Sequence, residues 1–394
     1  RDTSVTGVQT CALPIYVEAG MGHIMPMKSV IEMFRKKYGN RVDIIESKFY
    51  SETNDPDLKT FENFLCSQVK KYSLKRFYGY WSTFNCQFWG RHLSSWGAMK
   101  FCYPKAYKKS LIHMEELKPD LVFSTHWATN YVAWRTKNRP ICINYCPDTF
   151  LNKLFECDAD LTLISMPYGY RRAMKKRLYN ENNLKLVPFL IRNEVYNIPL
   201  DKRINRENMN LPLDKFTIVL AEGGYGIGKM KAICEELITL DLPITVVPVC
   251  GKNQELYEYF KSLVPNPSVS FIPFGFTTRI LELEASANLF CGKSGNIIAE
   301  PTFFGVPSII TNCATLIETY IANHYINEVK CAIKEFNPHK VVLMIQDFIK
   351  NPNKLDSYIK NAKEYHCHFG AEATADIIWQ QLIKKFPNLA IKEI

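Results

Sequence analysis

The sequence predicts an α/β fold of two doubly wound, Rossmann-like domains facing a cleft, and three observations carry that reading. Short apolar runs of strand length alternate with stretches of helical periodicity. The alternation stops at a polar, proline-bearing stretch, Asn197–Asp214, and then starts again. The length, 394 residues with 47% hydrophobic and 22% charged, suits two globular domains.

Gly20-Met21-Gly22-His23 leads into Met27–Lys37, whose apolar residues recur near helical spacing. Val42–Ile45, Asp120–Ser124, Ile141–Tyr145 and Leu161–Ile164 read as strands of a parallel sheet. In the second series the expected strands are Phe216–Leu220, Ile244–Val249, Val269–Ile272, Ala287–Cys291 and Ser308–Ile310. Helices are expected at Met230–Thr239, Gln254–Leu263 and Asn296–Phe304, with an amphipathic one at Ala371–Phe386 that closes the chain. The domain boundary falls at 200/201, so that residues 16–200 form one domain, 201–370 the other, and 371–394 a crossing helix. Val5–Ile15 (VTGVQTCALPI) reads as the translation of a common sequencing adapter, so residues 1–15 are expected to be foreign to the fold.

The net charge of +10 favours an anionic partner, such as a phosphate, a nucleotide or an anionic lipid surface. No apolar run reaches the roughly 20 residues of a membrane span. Phe61–Met114 mixes aromatics, among them Trp81, Phe84, Trp96 and Phe101, with basic residues such as Lys100, Lys105 and Lys108. Such a mixture suits a surface resting on anionic headgroups; ordinary helical packing with a solvated basic face is the alternative. The 13 cysteines form no CxxC pair and lie mostly in apolar runs, which points to buried, reduced thiols. Asp158-Ala-Asp160 mimics a metal-binding DxD but precedes a strand, so it is expected to be structural.

The segment carrying most chemistry is Cys291-Gly-Lys-Ser-Gly-Asn-Ile-Ile-Ala-Glu-Pro-Thr-Phe-Phe-Gly-Val-Pro307. A strand ends, a glycine turn lets backbone approach a ligand, and a helix opening at Asn296 aims free N–H groups at it. Glu300 lies one turn in, where a carboxylate accepts ribose hydroxyls. Gly305-Val306-Pro307 ends the helix.

This segment resembles the nucleotide-binding signature of glycosyltransferase family 28, which includes bacterial diacylglycerol glucosyltransferases and plant monogalactosyldiacylglycerol synthase. The family's Lys-Pro-Gly-Gly turn, helix Glu and Gly-x-Pro are matched by Lys293-Ser294-Gly295-Asn296, Glu300 and Gly305–Pro307. Gly223-Gly224-Tyr-Gly226-Ile-Gly228 resembles the glycine loop after the first strand of the second domain, and Gly251-Lys252-Asn253 the family's Gly-Lys-Asn. Phe274-Gly275-Phe276 is similar to the turn whose backbone reads uracil, and Gly20-Met-Gly22-His23 to the Gly-x-Gly-His loop of the first domain. The family's Gly-Gln-Glu sugar motif is altered: Ile317 stands where Gln is expected, beside Glu318, with Thr315 also in reach.

The resemblance implies a GT-B fold, a UDP-sugar donor, no cofactor, no metal, no nucleic-acid partner and inversion at the anomeric carbon. Glu18 and His23 are its two candidates for the base, with Gly20 and Gly22 on the acceptor side; His126, just after the strand-type run that ends at Ser124, reads separately as an acceptor-side cleft residue or as an ordinary loop histidine. The function it implies is transfer of a hexose to diacylglycerol by a peripheral protein on the cytoplasmic membrane face. Two alternatives stay open: a polyprenyl-linked or other acceptor, and a nucleotide-sugar-binding protein without turnover.

Overall fold

A computed structural model describes residues 11–15, 21–74, 81, 84, 91–223, 228–313 and 315–390. The chain divides into two compact units, Arg1–Asn193 with Gly370–Ile394, and Glu194–Phe369.

The first unit holds a six-stranded parallel sheet in the order β2-β1-β3-β4-β5-β6. Its strands are β1 (Cys11–Ile15), β2 (Asp43–Ile44), β3 (Leu121–Ser124), β4 (Ile141–Cys146), β5 (Leu161–Ile164) and β6 (Leu184–Leu186). β3, β4 and β5 are buried on both faces apart from Ile141, as parallel strands covered by helices must be. On one face pack the helices Met21–Tyr38 and Glu372–Lys385, through Ile31, Phe34, Ile378 and Leu382. Tyr38 stacks on Trp379 at 4.6 Å, its hydroxyl donates to Asp376 at 2.7 Å, and Lys37 pairs with Glu372 at 3.0 Å. On the other face lie the helices Pro56–Leu74, Pro104–Leu117 and Trp127–Ala133, through Phe61, Met114 and Val132.

One expectation is corrected here. Residues 1–15 were expected to be foreign to the fold, yet Cys11–Ile15 is a strand paired on both sides, with β2 and with β3. Its end is fastened as well: the Cys11 N–H donates to the Asp120 carboxylate at 2.8 Å, and Asp120 N–H donates to the Cys11 carbonyl at 2.9 Å. The physical reason is that β2 and β3 both present a parallel edge, and an apolar pentapeptide satisfies both. The first helix also begins earlier than expected, at Met21 rather than Met27.

The second unit holds another six-stranded parallel sheet, β12-β11-β10-β7-β8-β9. The strands are β7 (Phe216–Ala221), β8 (Ile244–Val249), β9 (Ser270–Phe271), β10 (Leu289–Lys293), β11 (Ser308–Asn312) and β12 (Ala332–Lys334). Helices Met230–Leu237, Gln254–Lys261 and Pro338–Lys350 cover one face, around Ile218, Val246, Phe260 and Ile345. β10 runs so close to β7 that a Cβ on Gly292 would lie under 3.0 Å from the Ala221 carbonyl; only glycine fits there.

The break between the units lies at Asn193/Glu194, ahead of the expected 200/201, and the closing helix belongs to the first unit. The polar stretch expected as a linker is structured. It contains the helix Lys202–Asn208, capped by Asp201, whose Arg206 donates to the carbonyls of Ser286 and Leu213 and to Asn288 Oδ1. A single buried arginine replaces the apolar periodicity that would have marked the helix.

Candidate donor site

In an open parallel sheet, ligands bind beyond the carboxyl ends of the strands where the strand order reverses. In the second sheet that place lies between β7 and β10, which are neighbours although two strands separate them in sequence. Every described residue expected at the donor site, apart from the buried Glu300, lies at or beyond the carboxyl end of one of its strands. Gly223 follows β7, Gly251–Asn253 follow β8, and Gly275 and Phe276 follow β9. Lys293 ends β10 and leads into Ser294–Asn296, while Thr315 and Glu318 follow β11.

The turns are built by glycine backbone. Gly223 has φ +80° and Gly295 φ +143°, conformations that side chains resist. The Asn253 side chain accepts the Leu256 N–H at 3.0 Å and caps the helix Gln254–Lys261. Cys250 N–H donates to the Phe274 carbonyl at 2.8 Å, which joins the β8 turn to Phe274-Gly275-Phe276. Gly275 lies against the Tyr257 ring, and Phe276 projects outward, 70% exposed.

At the end of β10 the register with β11 shifts between Gly292 and Lys293. Beyond it Lys293 Nζ pairs with Glu318 Oε1 at 3.0 Å, and the Ser294 hydroxyl donates to the Glu318 carbonyl at 2.6 Å. Thr315 caps the helix Leu316–Asn323 by accepting the Glu318 N–H at 3.1 Å. Asn296 opens a 3-10 turn, Asn296–Ile298, and the α-helix covers only Ala299–Phe303. The expected uninterrupted helix from 296 is thus a tighter turn followed by a short helix, because Pro301 cannot donate to the carbonyl of Ile297. Glu300 is buried, 8% exposed, in that short helix.

A residue not anticipated is Glu222, at the carboxyl end of β7. Its carboxylate accepts the N–H groups of Lys229 and Met230, at 2.8 and 3.0 Å, and the Thr311 hydroxyl at 2.9 Å. The helix Met230–Leu237 therefore starts on an internal carboxylate. Its signal in the sequence is an acidic residue closing an apolar strand directly before a glycine run.

In the first unit, Glu18, Gly20 and, in the second, Gly224 lie outside the described residues. Gly22 and His23 fall in the first turn of the helix Met21–Tyr38. His126 is buried at the carboxyl end of β3, where Nδ1 accepts the Ala128 N–H at 3.2 Å and caps the helix Trp127–Ala133. Asp148, unforeseen, follows the neighbouring strand β4, and burial pushes its carboxyl up to about 6. Asp158 pairs with Arg135 at 3.2 Å and Asp160 with Arg139 at 2.9 Å, so the DxD look-alike is held in two ion pairs. Of the described cysteines, most are buried and all are free thiols.

Among the described residues no helix is long and apolar enough to cross a membrane. One stretch of the first unit is nonetheless apolar outside: Trp81, Phe84, Leu93, Trp96, Phe101 and Ile112 are exposed, Phe101 at 75%. Exposed Lys100, Lys105 and Lys108 lie in the same stretch.

No profile of a known protein family matches the chain. Curated relatives do. A processive diacylglycerol beta-glucosyltransferase of Bacillus licheniformis is 25% identical over 376 residues, 92% of this chain and 93% of the relative. The protein of that name from Bacillus pumilus is 23% identical, over 92% of each. Among solved structures, MurG of Acinetobacter baumannii has a TM-score of 0.60 at 12% identity, over 94% of this chain and 99% of MurG. The complex of Staphylococcus aureus MnaA with UDP has 0.59 at 14%, over 97% and 98%. A UDP-GlcNAc 2-epimerase from Neisseria meningitidis shares the fold equally, with 0.59 at 12% over 95% and 100%, so the fold alone does not select an activity. The full-length relatives do select one: the chain is a glycosyltransferase of GT-B fold, similar along almost its whole length to diacylglycerol glucosyltransferases.

Proposed function

We propose that this chain transfers a hexose from a UDP-sugar to diacylglycerol, with inversion, without a metal, at the cytoplasmic face of the membrane. The observation that carries the donor half is the gathering of five sequence motifs at the carboxyl edge of the second sheet. The acceptor half rests on the names of the full-length relatives and on the exposed aromatic and basic stretch around Phe101.

The roles follow from the chemistry of each position. The β9 turn, Gly275-Phe276, offers backbone groups to the uracil edge. Glu300 accepts the ribose hydroxyls. Backbone N–H groups beyond Gly295, with the Lys293 ammonium nearby, stabilise the diphosphate as charge builds on it during departure. Glu318 and Thr315 meet the hexose. A base, Glu18 or His23, takes the proton from the diacylglycerol hydroxyl as its oxygen attacks the anomeric carbon and UDP leaves from the opposite side. In this scheme the backbone donors and the Lys293 ammonium take the part that a Lewis acid would otherwise play at the leaving group.

The test is incubation with a panel of UDP-hexoses and diacylglycerol in liposomes, with the lipid product identified by mass. One hexose added to diacylglycerol is the expected product. No glycolipid from any hexose donor overturns the proposal, and transfer to a polyprenyl-linked acceptor alone replaces its acceptor half.

A further inference from the structure

We propose that Ser294 is a positioning residue for the donor sugar, acting through Glu318; this rests on reading the β10 edge as the donor site. Ser294 is fully buried and makes two bonds, one through its backbone and one through its side chain. Its N–H donates to the Asn312 carbonyl at 2.8 Å, and its hydroxyl to the Glu318 carbonyl at 2.6 Å. The first ties the β10 turn to the end of β11. The second ties it to the first turn of the helix Leu316–Asn323.

Glu318 is consequently held at three points by three residues. Thr315 accepts its N–H, Ser294 donates to its carbonyl, and Lys293 pairs with its carboxylate. Lys293 and Glu318 side chains are 22% and 15% exposed, so the pair is open enough to meet a ligand and enclosed enough to keep its geometry. The register shift between Gly292 and Lys293 is what turns consecutive residues to this task, as irregularities beside functional sites commonly do. Ser294 stands at the proline position of the Lys-Pro-Gly-Gly pattern. Proline has neither an N–H nor a hydroxyl, so neither tether exists with it. Here the carboxylate that faces the sugar is located by the serine, and the Lys293–Glu318 pair moves with it as one unit.

Two measurements test this. Hydrogen exchange on the protein without substrate reads the tether itself: in Ser294→Ala the amides around Glu318 exchange about tenfold faster. Unchanged exchange overturns the proposal. Kinetics read the role: Ser294→Ala raises KM for the UDP-hexose about tenfold while the affinity for UDP changes less than twofold. In a Glu318→Ala background, Ser294→Ala changes KM less than twofold, because the group it positions is gone. Equal effects in both backgrounds, or an equal loss of UDP affinity, make Ser294 merely structural and overturn the proposal. Should Ser294→Ala not fold, Ser294→Cys keeps the size and a weak donor and is expected to lie between the two. If the unaltered protein binds no UDP-sugar, the donor reading fails and the sugar role with it, while exchange still decides whether the tether exists.

Discussion

The Glu222 carboxylate fills the space that any side chain on Gly228 would need: a Cβ there would lie closer than 3.0 Å to the carboxylate oxygens. The pair ties the end of β7 to the start of the next helix. The carboxylate accepts the N–H groups of Lys229 and Met230 at the start of the next helix, and Gly228, two residues before that helix, leaves it room. Glu222→Ala removes two backbone bonds and the Thr311 bond, and an expected loss of about 2–3 kcal/mol in urea unfolding follows. Gly228→Ala also destabilises the unaltered protein. In the Glu222→Ala background it costs at least about 1 kcal/mol less, because the clash has gone. Additive losses contradict this account.

Asp148 imposes a pH dependence on stability. Burial raises its carboxyl from the ordinary 3.8 to about 6, so the folded protein holds the proton more tightly than the unfolded chain. The sign is then set: stability from this group is present below about pH 4 and lost as pH rises through about 6. Asp148→Asn removes that loss. The variant is expected to match the unaltered protein at pH 4 and exceed it at pH 7.5, by about 2 kcal/mol from a shift of this size. Urea titrations at the two values check it, and a difference that does not grow with pH rules it out.

Glu300→Ala is expected to weaken UDP binding by roughly 10- to 100-fold, the loss of one or two hydrogen bonds to a charged acceptor. Calorimetry with UDP reads this directly. Retained affinity removes Glu300 from the nucleotide site.

His23→Ala is expected to lower kcat by about 10²- to 10⁴-fold, the range for a general acid–base group, with UDP affinity unchanged. Glu18→Gln serves as its counterpart. The one with the larger effect on kcat and an altered pH–rate profile is the base; an unaffected kcat in both excludes the pair.

Phe101→Ser and Trp96→Ser test the lipid-facing stretch. Both side chains are exposed, and their rings stack on each other at 6.4 Å. Thermal stability should stay within about 0.5 kcal/mol, as for ordinary surface changes. Flotation with anionic liposomes should fall about tenfold for the pair, the loss of about 1.4 kcal/mol of burial. Unchanged flotation assigns the aromatics to packing or to another partner.

Several corrections share one cause. Cys11–Ile15 is a strand because its neighbours offer two edges to fill, which composition does not record. Lys202–Asn208 is a helix because Arg206 is anchored by groups from beyond its own segment, Ser286 and Asn288 among them. His126, expected on the acceptor side, is oriented by a helix cap, its Nδ1 accepting the Ala128 N–H.

What the sequence determined by itself is the alternation of strand and helix and the ordered glycine motifs of the donor edge. Those signals are local: apolar periodicity marks a buried strand, and a glycine turn marks where backbone must bend or come close. A parallel sheet then gathers the turns without further instruction, since every strand points the same way and all the turns that follow them meet at one edge. What only the tertiary structure decided are the pairings across that edge: Glu222 with Gly228 and Thr311, Lys293 with Glu318, Ser294 with Asn312. Apart from the Glu222–Gly228 contact, which is local to one connection, these join residues distant in sequence, and they depend on strand order and on the register of β10 against β11, which are set by packing of the whole sheet.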